Sequence, residues 1–194
     1  MESVLPVAAA ATLHRIRRIQ AITIAWMTVE AVVSLSAAWM AHSPALLAFG
    51  GDSAIELLSA AVVYWRFRSR LSDDRTEKLA ARITGGLLFA LAAYVALVAV
   101  LALLGHVEVR PSFLGIVVLI VAAVVMPVIA QQKRRLSTMT ASAALRADAA
   151  ESALCGYLSI IALAGLLANA FWGVTWADPV AALCLIPLVA REGW

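Results

Sequence analysis

Apolar residues recur in long blocks along this chain of 194 residues, and the short stretches between the blocks carry most of the charge. Most blocks approach the roughly 20 residues that an α-helix needs to cross a bilayer. The pattern predicts an all-α membrane protein, a bundle of six transmembrane helices. Short connections before the second and sixth blocks predict that each joins adjacent antiparallel helices. The predicted spans are 19–41, 46–65, 83–104, 113–130, 147–171 and 179–190.

Composition agrees with a membrane location. The chain is 63% hydrophobic and 14% charged, whereas soluble domains are about 45–50% apolar and about 25% charged. We expect a cytoplasmic N-terminal segment, residues 1–18, and a domain of six transmembrane helices, residues 19–194, with no soluble C-terminal domain. Basic residues interrupt the apolar N-terminus, so we expect no cleavable signal peptide. The two cysteines lie within apolar runs and do not indicate a disulfide framework.

The distribution of lysine and arginine predicts the orientation of the helices. Basic residues precede the first span, follow the sixth, and fill the connections after the second and fourth, whereas only Arg110 falls on the other side. Both termini should therefore be cytoplasmic, in a multi-pass protein of the plasma (inner) membrane. These basic runs are typical of topology signals and lipid-headgroup contacts. Nucleic-acid binding needs a basic patch on a folded surface, and we expect no such partner.

Five carboxylates lie inside the predicted spans, although each charge there costs about 2.5–3.5 kcal/mol on insertion scales. Asp52 and Glu56 are four residues apart, and so are Glu151 and Cys155, so each pair points to one side of its helix. Helical rise places the two pairs at overlapping depths. Together the pairs could surround a divalent cation with four ligands, as Zn²⁺ accepts. The five carboxylates are Glu30, Asp52, Glu56, Asp148 and Glu151.

Two further carboxylates could support such a site. Asp148 lies about one turn nearer the cytoplasm than Glu151 and on the same face, where it could line an access path. Glu30 lies at similar depth in the first span, where it could carry protons or act as an outer ligand. It could equally be a carboxyl group bonded to a neighbouring helix. Cys184 has no partner at helical spacing and is interpreted as a core residue.

Several stretches resemble the cation diffusion facilitator (cation efflux) family. That family carries a pattern like Ala-Asp-Ala-x-His/Asp-Ser-x-x-Asp on its second and fifth helices. Residues 49–59 and 147–155 fit it here. Residues 43–47 resemble the family's Ser-x-Ala-Leu-Leu before helix two, and residues 178–183 resemble its Asp-Pro-Ile-Ala-Ala-Leu at helix six. The resemblance extends from about residue 25 to residue 190.

The resemblance implies six spans with cytoplasmic termini and a metal site on helices two and five. It places Asp52, Glu56, Glu151 and Cys155 in the ligand positions, with Asp148 as the leading aspartate of the second motif. The family usually has aspartate where this chain has Cys155, and neither helix offers a histidine. The metal preference therefore stays open. Carboxylates alone would favour Mn²⁺ or Mg²⁺, whereas the thiol favours Zn²⁺, Cd²⁺, Co²⁺ or Fe²⁺.

The end of the chain differs from the usual family pattern. The family's cytoplasmic metal-binding domain follows helix six, whereas this sequence stops at Trp194. We expect a form without that domain, so a homodimer would form through the transmembrane helices. Asp178 can cap helix six and Pro179 suits its first turn.

These features predict a secondary transporter that exports a divalent transition metal, Zn²⁺ most readily, in exchange for protons. Metal binding requires deprotonated ligands and therefore releases protons. One alternative is a proton-coupled exporter of organic cations, although most tryptophans lie near span ends, as interface anchors do. A second is a non-transporting membrane partner that retains the fold. We expect no enzyme, since a catalytic zinc site favours histidines, and no cofactor besides the transported ion.

Overall fold

A computed structural model describes residues 4–69, 74–140 and 143–193, and these residues form six α-helices. The all-α architecture predicted from the apolar blocks is confirmed. The helices are α1 (Val4–Ala41), α2 (Pro44–Ser69), α3 (Asp74–Leu103), α4 (Phe113–Thr140), α5 (Ala143–Trp172) and α6 (Ala177–Gly193).

Several helices extend well beyond the predicted spans. Helix α1 begins at Val4 instead of residue 19, and α4 continues to Thr140 instead of ending at residue 130. The predicted spans mark the part of each helix that lies in the apolar layer, and the helical hydrogen bonding continues beyond that part. Lysine and arginine are good helix formers. The basic runs before span one and after span four therefore lie on helices and not in loops.

The tight turn between α1 and α2 follows from three consecutive residues. His42 adopts a positive φ of 51°, and the Ser43 amide donates to the Ala38 carbonyl at 3.2 Å, which closes the end of α1. The Ser43 hydroxyl then accepts the Leu46 amide at 3.1 Å, as an N-cap does. Pro44 occupies the first helical position of α2, where its missing N–H costs nothing. This turn positions the start of the helix that carries Asp52.

Asp178 supports the same turn from α6. It lies in the first turn of α6, and its Oδ2 accepts the Ser43 hydroxyl at 2.5 Å while Oδ1 accepts the Ala45 amide at 3.1 Å. We predicted that Asp178 would cap its own helix, but these bonds go to the N-terminus of α2. Its burial between the two helices explains the difference, since only 1% of the residue is exposed.

Substitution of Asp178 by alanine should therefore lower the stability of the bundle. It would leave the buried Ser43 hydroxyl and Ala45 amide without this acceptor, at a cost of about 1–3 kcal/mol. Thermal unfolding in detergent should show a lower midpoint than for the parent. Glu108→Ala is the matched control, because Glu108 is exposed outside the helices. Equal midpoints for the two variants would show that the bonds from Asp178 to α2 add no stability.

Helix α2 lies among the other helices and packs against α1, α3, α5 and α6. Helix α5 packs most extensively against α4 and also contacts α6 and α2. The two helices predicted to carry the paired ligands are therefore neighbours. Large apolar side chains fill the space around them, and Phe49, Leu119, Met126 and Leu158 are almost fully buried.

The outside of the bundle is apolar over much of its length. Leu97, Val117 and Val124 are all more than half exposed, which is typical of a surface that faces lipid. Within the described residues, four helices are long and apolar enough to cross a membrane: His14–Ala41, Arg82–Leu103, Phe113–Thr140 and Asp148–Trp172. Helix α6 is shorter, at 17 residues. The chain is thus a multi-pass membrane protein.

Candidate metal site

The first predicted ligand pair lies on α2. Asp52 is fully buried, and Glu56, one turn further along, is half-buried. Their four-residue spacing keeps both side chains on nearly the same side of the helix. The two carboxylates therefore lie on the part of α2 that faces the inside of the bundle.

The second predicted pair lies on α5, and its two members differ in burial. Cys155 is fully buried, whereas Glu151 is exposed. Residues four apart on an α-helix differ by about 40° in direction, which is enough to separate an inward side chain from one at the edge of the buried face. Cys155 lies within electrostatic range of the Asp52 and Glu56 carboxylates. The structure thus brings three of the four predicted ligands towards one region, and the role of Glu151 stays a prediction.

Glu30 on α1 lies beside Cys155. Its side chain is fully buried, and its Oε1 accepts both the Cys155 thiol at 3.2 Å and the Ser53 hydroxyl at 2.7 Å. Its Oε2 accepts the indole N–H of Trp26 at 2.6 Å. Glu30 therefore joins α1, α2 and α5 at the point where the predicted ligands approach one another. These contacts match the interpretation of Glu30 as a carboxyl bonded to neighbouring helices, and its role as a proton carrier or outer ligand stays a prediction.

Trp26 and Ser53 were not predicted as members of this region. Trp26 is partly buried and donates to Glu30 from the preceding turn of α1, so it does not act as an interface anchor. The four-residue spacing of Trp26 and Glu30 was the available clue, because it places a donor beside a carboxylate. Ser53 is fully buried next to Asp52, and it follows Asp52 in the motif on α2.

A second polar cluster involves Asp148 and a buried lysine. Lys133 on α4 is fully buried, although we assigned its basic run to topology and headgroup contact. Its ammonium lies 2.7 Å from Asp148 Oδ1 and 2.9 Å from the Ser152 hydroxyl. Gln20 on α1 donates to Asp148 Oδ2 at 2.7 Å.

The pattern on α4 could have located Lys133. Buried residues of α4 recur every three or four positions on one face, and Lys133 falls in this series. The buried series near it is Met126, Ile129, Ala130, Lys133, Leu136 and Ser137.

Asp52, Glu56 and Cys155, three of the four predicted ligands, lie towards one region but do not form a closed coordination shell. Among the described residues, no group of three or more histidine, cysteine, aspartate or glutamate side chains is arranged to hold a metal ion. In this conformation the Cys155 thiol and Glu30 bond to each other. A metal site would therefore require the Cys155 thiol to give up its hydrogen bond to Glu30 before the sulfur could bind the ion.

Comparison with known proteins gives the family. No curated protein matches the chain significantly. The sequence does match the cation efflux transmembrane domain over residues 21–194, nearly the whole chain. The matched range includes α2 and α5, the helices that carry Asp52 and Cys155. The chain therefore belongs to the cation efflux family, whose members are membrane transporters that move metal cations out of the cell.

Proposed function

We propose that this protein exports a divalent transition metal from the cytoplasm in exchange for protons, with Zn²⁺ as the preferred ion. The proposed ligands are Asp52, Glu56, Glu151 and Cys155. The observation that carries the proposal is a fully buried thiol, Cys155, in hydrogen-bond contact with a fully buried carboxylate, Glu30, and near two more carboxylates. Buried ionisable groups inside a membrane bundle are typical of ion pathways.

The chemistry of the side chains supports a transition metal. The region combines carboxylate oxygens with one thiol, and thiolate ligands favour Zn²⁺ and other soft or borderline ions over Mg²⁺ or Mn²⁺. Zn²⁺ binds carboxylate oxygen and cysteine sulfur, usually in a tetrahedral shell, and its filled d shell imposes no geometry of its own. A mixed set of this kind therefore suits Zn²⁺, provided that its side chains turn towards one ion.

The contact between Cys155 and Glu30 supports coupling to protons. A thiol must lose its proton before the sulfur can bind a metal. Glu30 Oε1 lies 3.2 Å from the Cys155 sulfur and can accept that proton directly. Metal binding at the sulfur and proton uptake by the carboxylate would then be linked steps. Release of the proton from Glu30 to the cytoplasm would complete the exchange.

An exporter of organic cations is the second candidate, because Trp26 places an aromatic ring near the buried carboxylate. Organic cations are recognised by the face of an aromatic ring. Trp26 instead directs its N–H towards Glu30 Oε2 at 2.6 Å, so the ring edge meets the carboxylate. This orientation favours a small ion over an organic cation.

Uptake by proteoliposomes tests the proposal. The purified protein is reconstituted into vesicles that contain a zinc-sensitive dye and a pH-sensitive dye. A pH gradient is then imposed with the more acidic solution inside the vesicles. We expect Zn²⁺ to accumulate inside while protons leave, both faster than in protein-free vesicles. Zn²⁺ uptake without proton movement would contradict the exchange. If the vesicles take up a fluorescent organic cation but no Zn²⁺, the result would favour the second candidate. If they take up neither Zn²⁺ nor the organic cation, the result would favour a non-transporting partner.

A further inference from the structure

Lys133 is the one fully buried cation among the residues whose side chains the structure describes, and the proposed site does not use it. It lies on α4, and its ammonium contacts one carboxylate oxygen of Asp148 and the hydroxyl of Ser152. Both partners are on α5, in the two turns that precede Cys155. The ammonium is therefore placed next to the segment of α5 that leads to the buried thiol.

The other oxygen of Asp148 is also occupied. Gln20 on α1 donates its amide to Oδ2 at 2.7 Å, while Lys133 binds Oδ1 at the same distance. Asp148 thus joins α1, α4 and α5 through two different bonds. It precedes Cys155 by seven residues, or about 10 Å along the helix. The carboxylate is the more exposed partner of the pair, with 29% of its side chain accessible.

This arrangement resembles a cation site that already contains a cation. Asp148 offers a carboxylate and Ser152 a hydroxyl, and both are oxygen donors that a divalent ion can use. The ammonium of Lys133 lies between them at hydrogen-bond distance from each. A divalent ion that approaches Cys155 along this part of α5 meets Asp148 first, and there it competes with a monovalent ammonium.

We propose that Lys133 is a positioning residue for transport. It acts as a tethered cation that holds Asp148 and closes the path to Cys155 until a divalent ion displaces it. This inference rests on the proposed function for the identity of the ion. If the pair had a purely structural role and only tied α4 to α5, its loss would loosen the whole bundle. Access to Cys155 would then increase equally from both faces of the membrane.

Access to the Cys155 thiol tests this proposal without any measurement of transport. Cys184 is exposed, so its interpretation as a core residue was wrong. Cys184→Ser removes this exposed cysteine and leaves Cys155 as the single thiol. A charged, membrane-impermeant methanethiosulfonate reagent is then applied from either face of the membrane. Lys133→Met should increase the labelling rate at least about tenfold, because breaking a buried ion pair weakens the closed state by more than a tenfold factor. The increase should occur only from the face that carries Arg134 and Arg135.

Arg134→Met is the matched control, since Arg134 is the next residue on α4 but is exposed. It removes the same charge and should leave the labelling rate unchanged. Exchange of the partners, Lys133→Asp with Asp148→Lys, should restore slow labelling. If Lys133→Met does not fold, Asp148→Asn should give the same one-sided increase. An unchanged rate, an equal increase from both faces, or an increase in Arg134→Met would overturn the proposal.

A second measurement separates this inference from the proposed function. In proteoliposomes, Lys133→Met should lower the apparent KM for Zn²⁺ because a competitor for Asp148 has been removed. A structural defect would instead lower the maximal rate. One-sided labelling in a protein that does not transport Zn²⁺ would support the role of Lys133 and reject the metal assignment. A raised KM would overturn the role of Lys133.

Discussion

Replacement of Asp52 by alanine should reduce Zn²⁺ uptake to the level of protein-free vesicles. Asp52 is fully buried on α2, within electrostatic range of Cys155, and the proposed site depends on its carboxylate. Removal of an outer-shell partner of a metal costs up to about 100-fold in affinity or activity. Because Asp52 is proposed as a direct ligand, we expect its removal to cost more than that. Membrane insertion should be retained, since removal of a charge makes insertion easier. Initial uptake rates, normalised to the amount of protein in the vesicles, give the measurement.

The control for this experiment is Glu108→Ala, which removes an exposed carboxylate outside the helices and should transport normally. Glu151→Ala tests the fourth ligand separately, and the proposal predicts the same loss as for Asp52→Ala. Normal transport by Glu151→Ala alone would remove Glu151 from the ligand set and leave Glu30 as the candidate to replace it. Normal transport by Asp52→Ala would reject the site as a whole.

Replacement of Cys155 by aspartate should keep transport but change the preferred metal. Cys155 is the only thiol near the carboxylates and departs from the aspartate that the family usually has there. Thiolate favours Cd²⁺ over Mn²⁺, whereas a carboxylate does not. The ratio of Cd²⁺ to Mn²⁺ uptake should fall by about tenfold or more, which corresponds to about 1.4 kcal/mol of relative binding free energy.

Cys184→Ser is the matched control, because it removes the exposed thiol and should leave the ratio unchanged. An unchanged ratio in Cys155→Asp would place the thiol outside the set of metal ligands. In that case Asp148, which precedes Glu151 by three residues on the same helical face, returns as a candidate fourth ligand. Such a result would also require Lys133 to leave Asp148 before the metal binds.

The sequence could predict the features that depend on local spacing and hydropathy. Apolar blocks predicted the helices, and the pairs at four-residue spacing selected Asp52 and Cys155, which the structure places within electrostatic range of each other. The ends of α1 and α4 were not predictable in this way, since basic residues continue a helix beyond the apolar layer. Hydropathy therefore located the membrane-embedded part of each helix better than its ends.

The contacts between helices were beyond the reach of sequence spacing. Lys133 belongs to a run of three basic residues that resembles a topology signal. Its place in the periodic series of α4 indicates the buried side of the helix, but only the packing of α4 against α5 shows that it binds Asp148 and Ser152. The same holds for Glu30 and Cys155, which are 125 residues apart in the chain. Asp178 illustrates a third case, because its local position indicated a cap for α6 while its bonds go to α2.

The packing around the two helices that carry the predicted ligands has a consequence for the hydration of the proposed ion. A Cβ at Gly50, two residues before Asp52, would lie 2.8 Å from Ser34 Cβ on α1, and a Cβ at Gly156, beside Cys155, would lie 3.1 Å from the Pro127 ring on α4. Neighbouring helices thus pack closely beside both predicted ligands, and because Asp52 and Cys155 are themselves fully buried, little room is left for a shell of water. A cation that binds here would have to lose most of its water first. Mg²⁺, which dehydrates reluctantly, would then be excluded by the slowness of its water loss as well as by the softness of the thiol.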